Sequence, residues 1–152
     1  MKKIKLTQGQ FALVDDDCFE YLNQWKWHAR KSDSAFYASR DEYGKKIHMH
    51  RVVITAAADV FVDHKDGNGL NNQTSNLRIC SNSQNQRNRK SINKYGYKGV
   101  NKNGEKYRAH IRMGEVEFIS KGFDSVEEAA HAYDEKAKEL FGEFAWLNFP
   151  AD

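Results

Sequence analysis

Along the first sixty residues apolar positions come in short runs. Phe11-Ala12-Leu13-Val14 has the length of a strand, and Asp15-Asp16-Asp17 behind it can cap a short helix running to Leu22. Trp25, Trp27 and Ala29 alternate with Lys26 and His28, the period of a strand. Phe36-Tyr37-Ala38 and Ile47-His48-Met49 flank a polar turn from Asp41 to Lys46 and predict an antiparallel pair. The apolar, alanine-rich stretch Val52 to Ala58 predicts a short helix. The pattern changes at Asp63. From there to Asn88 the chain carries seven asparagines and no Phe, Tyr or Trp, so aromatic packing gives way to turn chemistry. Asp66-Gly67-Asn68-Gly69 is a loop. Phe61-Val62 and Leu77 to Cys80 can pair on either side of it, and Ser81 or Ser83 can cap a helix bearing Asn85, Gln86 and Asn88. The predicted order is strand, long loop, strand, helix.

Beyond a short polar connection at 91–94 a second pattern begins. Tyr97 to Val100 reads as a strand, Asn101 to Gly104 as a hairpin turn, Tyr107 to Arg112 as a second strand and Glu115 to Ile119 as a third. Ser125 and Glu128 have the spacing of a capping box. Val126, Ala129, Ala130, Tyr133, Ala137, Leu140 and Phe141 then fall on one helical stripe, with Gly142 where a C-cap belongs. The fold class expected is α+β. Its parts are an extension over 1–62, a strand–loop–strand–helix motif over 63–90, the connection 91–94, and a three-stranded antiparallel sheet with one helix over 95–152.

Composition narrows the classes. A mean hydropathy of −0.84 and the absence of any long apolar run argue against a membrane span, and the MKKIKLTQGQ start lacks the apolar stretch of a secretion signal. Two cysteines, Cys18 and Cys80, cannot build a disulfide framework or a four-thiolate zinc site, so a reducing cytoplasm is the compartment expected. The net charge of +3 conceals a segregation. Residues 86–123 hold 10 basic and 3 acidic groups, and residues 124–152 hold 2 basic and 8 acidic, which predicts one basic and one acidic face.

His64 stands 12 residues before Asn76 and 21 before Asn85, next to Asp63. This spacing, with DHKDGNGLNN, SNLR and SQNQRN in order, resembles the HNH nucleases in the variant that ends in Asn, as found in phage and intron homing endonucleases; the resemblance covers residues 50–90. It implies a ββα-metal (His-Me finger) fold and metal-assisted phosphodiester hydrolysis. His64 would be the general base, Asp63 and Asn85 would hold one divalent cation through oxygen, and Asn76 would brace the loop and orient the His64 ring. The cofactor implied is Mg²⁺ or Mn²⁺ rather than zinc, because both ligands are hard oxygen donors. His50, in the His-Arg pair before the motif, matches the family without a settled role.

Residues 97–150 resemble the ethylene-response-factor (Apetala-type) DNA-binding domain. The resemblance rests on Tyr97-Lys98-Gly99-Val100, on Lys106 to Arg112, on Gly122-Phe123-Asp124, on the helix from Glu127 to Asp134 and on Leu147-Asn148-Phe149-Pro150. It implies a sheet laid in the major groove of double-stranded DNA. Lys98, Lys106, Arg108 and Arg112 are the expected DNA contacts, joined by Arg87 and Arg89. Asn101, His110, Glu117 and Ile119 depart from that family's pattern, so its sequence preference does not transfer. The reading that results is a site-directed DNA endonuclease that cuts one strand per active site, as a monomer or a transient dimer on DNA. Two alternatives stay open: a DNA-binding regulator with a silent nuclease module, and a nuclease or binder directed at RNA.

Overall fold

The computed structural model describes residues 1–32 and 35–150, which divide into two compact units, Met1–Asn85 and Gln86–Asp152. The first unit opens with a two-stranded antiparallel sheet, β1 (Lys2–Lys5) on β2 (Phe11–Val14), followed by α1 (Asp16–Leu22). A three-stranded antiparallel sheet comes next: β3 (His28–Ser32), β4 (Ala35–Glu42) and β5 (Lys45–His48), with β4 central. The short helix α2 (Met49–Val53) then leads to β6 (Phe61–His64). A loop and a single 3-10 turn, Thr74–Asn76, return the chain to β7 (Leu77–Cys80), which pairs with β6, and α3 (Asn82–Arg87) follows.

One core holds this unit together. Ile4, Leu6, Ala12, Val14, Leu22, Trp27, Ala29, Ala38 and Met49 are buried against one another, with Phe36, Ile47 and Leu70 packed at the margin. The tryptophans differ from the strand reading. Trp27 lies before β3 begins and donates its indole N–H to the Leu22 carbonyl at 2.8 Å, so a loop rather than a pleat buries it. The helix expected over Val52 to Ala58 forms earlier, at Met49–Val53, and Thr55 takes a left-handed φ of 50° that ends it.

The second unit contains β8 (Val100–Asn103), β9 (Lys106–Met113) and β10 (Val116–Ile119), an antiparallel sheet with β9 central, and then α4 (Val126–Phe141). The capping box forms: Ser125 Oγ accepts from the Glu128 N–H while the Glu128 carboxylate accepts from the Ser125 N–H. Ala129, Ala130, Tyr133 and Ala137 lay the predicted stripe on Val100, Ala109 and Ile111 of the sheet. β8 starts three residues later than Tyr97 because Gly96 and Gly99 both have positive φ, which a strand does not accommodate. At Gly99 a side chain is excluded outright, since a Cβ there would lie 2.0 Å from the Tyr133 ring. The polar stretch 91–94 lies within this unit, where Asn93 bonds the Val100 carbonyl and the Tyr95 N–H.

Candidate active site and basic sheet face

Asp63 and His64 end β6 and are each 5% exposed, which is unusual for polar neighbours on a two-stranded ribbon. Strand geometry sends them to opposite faces. Asp63 faces Arg78 directly across the ladder, and Arg78 donates to its Oδ2 from Nε at 2.8 Å and from Nη2 at 2.6 Å. This double bond fixes the carboxylate and compensates its charge. Cys80, at the other end of the β6–β7 ladder, feels the Asp63 charge and the Asn85 backbone N–H. Burial raises the Cys80 thiol's pKa, the Asp63 charge raises it further, and Arg78 and the Asn85 backbone N–H act against them. Among the described residues no three side chains of the His, Cys, Asp or Glu types gather as a metal cluster. The two ligands expected from the sequence, the Asp63 carboxylate and the Asn85 amide, are oxygen donors of the kind that suits a hard cation.

His64 sits in an aromatic pocket. Its ring lies edge-on to His50, with centroids 5.1 Å apart and planes at 88°, and 5.8 Å from Tyr37. His48 stacks on the far side of His50 at 5.3 Å. Burial lowers the pKa of His64, opposed by the Asn72 amide and by the charges of Asp66 and Asp63. His48 is lowered by burial as well, and His50, desolvated and beside two other imidazoles, falls to about 3. These rings are neutral at physiological pH.

The loop after His64 is held by its own polar groups. Asn76 uses its whole side-chain amide on it: Nδ2 donates to Asp66 Oδ1 and to the Asn71 carbonyl, both at 2.9 Å, and Oδ1 accepts from the Asp66 N–H at 3.1 Å. These bonds tie Asn76 to the loop that it ends. Those bonds occupy both Nδ2 hydrogens. Asn72, 1% exposed, is a second buried amide, one not singled out by the sequence, and its side chain has no hydrogen-bond partner among the described residues. The N-terminal extension completes the support. Leu13 accepts the Asn72 N–H and donates to the Leu70 carbonyl, both at 2.8 Å, while Asp15 accepts the Thr74 N–H at 2.7 Å. Asp15 therefore serves this loop rather than capping α1, and its pKa falls chiefly because of the Thr74 bond. Gly69 marks a close approach of this loop to β4. A Cβ there would meet the Phe36 carbonyl oxygen at 2.5 Å and the Tyr37 ring at 2.5 and 2.6 Å.

In the second unit Lys106, Arg108, His110 and Arg112 alternate along β9 with the buried Ala109 and Ile111, and so line the sheet face turned away from α4. Lys106 pairs with Asp124, and Arg112 is exposed. Arg108 is half-buried, and its buried Nε–H has no hydrogen-bond partner among the described residues. Lys98, expected among the DNA contacts, is engaged inside the unit. Its Nζ donates to the carbonyls of Arg87 and Arg89 at 2.6 and 2.7 Å, and burial lowers its pKa to about 8. Arg87 stacks on Phe141, and Arg89 bonds Gln86.

Comparison with known proteins agrees with the first of these regions. Residues 48–87 match the HNH endonuclease family. An uncharacterised HNH endonuclease of Acanthamoeba polyphaga mimivirus is 35% identical over 148 residues, which span 93% of this chain and 76% of that protein. No solved structure matches. Neither comparison adds to the ethylene-response-factor resemblance of the second unit. The chain belongs to the HNH endonuclease family and is a nuclease.

Proposed function

We propose that the protein is a divalent-metal-dependent DNA endonuclease that cuts one strand per active site, with the ββα segment from Phe61 to Arg87 as its ββα-metal motif. The observation that carries this is the burial of the Asp63-His64 pair at one strand end, with Asp63 fixed by Arg78 and the adjoining loop braced by Asn76. His64 stays neutral because burial disfavours its cation, so it can accept the proton of the attacking water. His50 and Tyr37 limit the tilt of its ring. Asp63 and Asn85 would hold the cation, which when bound supplies Lewis-acid stabilisation of charge on the phosphate and the leaving oxygen. Arg78 holds the Asp63 carboxylate in place.

The β9 face supports a second assignment. Lys106, Arg108 and Arg112 would hold the DNA backbone against the sheet, in keeping with the ethylene-response-factor resemblance, while Lys98 serves the fold of that unit. The protein would act as a monomer or as a transient dimer on its duplex. Relaxation of supercoiled plasmid tests the catalytic reading. Nicked circles should accumulate with Mg²⁺ and vanish with EDTA or in His64→Ala; equal nicking by that variant refutes the assignment.

A further inference from the structure

The sheet face described above carries one feature that a surface for phosphates should not have. Among the described residues Glu117 is the only acid within β8, β9 and β10, and it stands on the same face as Arg108, His110 and Arg112. Its Cα partner across the ladder is Arg112, the natural mate for simple charge compensation. No Glu117–Arg112 ion pair forms. The carboxylate is held instead on the diagonal by His110, whose Nε2 lies 2.8 Å from Oε1. His110 is held in turn from the other edge of the sheet, with Asn101 Nδ2 3.1 Å from its Nδ1. An Asn101 N–H donating to Nδ1 requires the proton on Nε2, which then donates to Glu117, so the three groups form one oriented chain across three strands. Glu117 is half exposed, and its second oxygen, Oε2, has no hydrogen bond among the described residues.

A carboxylate fixed in this way repels phosphate and can only reward a hydrogen-bond donor. In the major groove the bases supply donors through exocyclic amino groups, and cytosine N4 is the one that suits a carboxylate, since adenine sets the N7 acceptor beside its amino group. A sheet face can enter the major groove of B-form DNA, whereas the deep, narrow groove of duplex RNA excludes it. We propose that Glu117, positioned by His110 and Asn101, is a specificity-determining residue that reads cytosine in the major groove of duplex DNA. This rests on the reading of the sheet as the DNA-holding face.

The test is selection from a pool of randomised duplexes by the full chain in EDTA, so that nothing is cut, comparing wild type with Glu117→Gln, Arg108→Ala and Arg112→Ala. Wild type should enrich a site with one strongly preferred cytosine. In Glu117→Gln that position should lose its preference by roughly 5- to 150-fold. Affinity for unselected duplex should hold or rise, because a charge that repels phosphate has gone. An unchanged preference with only a lower melting temperature overturns the inference and makes Glu117 a structural partner of His110. Tighter binding of the wild-type chain to single-stranded DNA or to RNA than to the selected duplex overturns it too. If Arg108→Ala and Arg112→Ala leave duplex affinity untouched, the DNA-holding reading of the face itself has failed, an outcome distinct from unchanged preference in Glu117→Gln.

Discussion

The His64 pocket and the β9 face use polar groups in opposite ways. In the pocket Asp63 is tied to Arg78 and Asn76 to its loop, and three imidazoles are kept neutral by burial. On the sheet Lys106 and Arg112 stand exposed and Arg108 half-buried, on the face turned away from α4. The difference follows from what each task costs. A proton acceptor gains from a fixed, desolvated position, whereas a surface that collects a charged polymer gains from solvated charge and long-range attraction. Lys98 shows the boundary, because a cation buried against two carbonyls is a structural strut despite its place in a basic segment.

The comparison is broken most forcefully at His64. Its replacement by alanine should lower the cleavage rate about 10²- to 10⁴-fold, the range of a general base, with little change in duplex affinity. Next comes Gly69→Ala, which must displace Tyr37 from beside His64 or move the Phe36 backbone. We expect a loss of about 1–3 kcal/mol in denaturant unfolding, with slower cleavage accompanying it.

Acid should sharpen the contrast in a third way. A histidine whose folded pKa is depressed keeps full stability above its unfolded value near 6.5 and loses it as pH falls, because the unfolded chain then binds the extra proton. For His50 that window runs from about 6.5 down to about 3. Its share of the slope approaches about 1.4 kcal/mol per pH unit. Stability measured against pH should therefore fall less steeply in His50→Phe than in wild type.

The smallest effects belong to the sheet. Arg108→Ala and Arg112→Ala should each flatten the log–log salt dependence of duplex binding by about 0.9 while leaving the rate at saturating DNA unchanged. Lys98→Met should leave that slope alone and lower the stability of the second unit by about 1–3 kcal/mol, as the Arg87 and Arg89 carbonyls lose a charged donor.

What could be read from sequence was local. The capping box at Ser125, the stripe of α4, the Phe61/Cys80 strand pair and the Ser81-capped helix depend on residues a few positions apart or on one loop, and each appears in the structure. β1 was invisible because Lys2–Lys5 holds a single apolar residue, Ile4, whose burial depends on β2. Asn72 was hidden among seven asparagines. What distinguishes it is its bond to Leu13, about sixty positions away, which no spacing within the motif encodes. The Asp63–Arg78 pair escaped notice for the same reason, since it exists only once the register of β6 and β7 is fixed. Lys98 shows the converse: charge was legible, but its burial was not.

The division of labour between pocket and sheet is tested most directly by single-turnover cleavage of a saturating duplex in Mg²⁺, measured alongside equilibrium affinity in the same full-length variants. His64→Ala should bind as wild type does and cut at least 100-fold more slowly, while Arg112→Ala should bind more weakly and cut at the wild-type rate once saturated. A His64→Ala protein that cuts as fast as wild type, or an Arg112→Ala protein whose saturated rate collapses, would contradict the account.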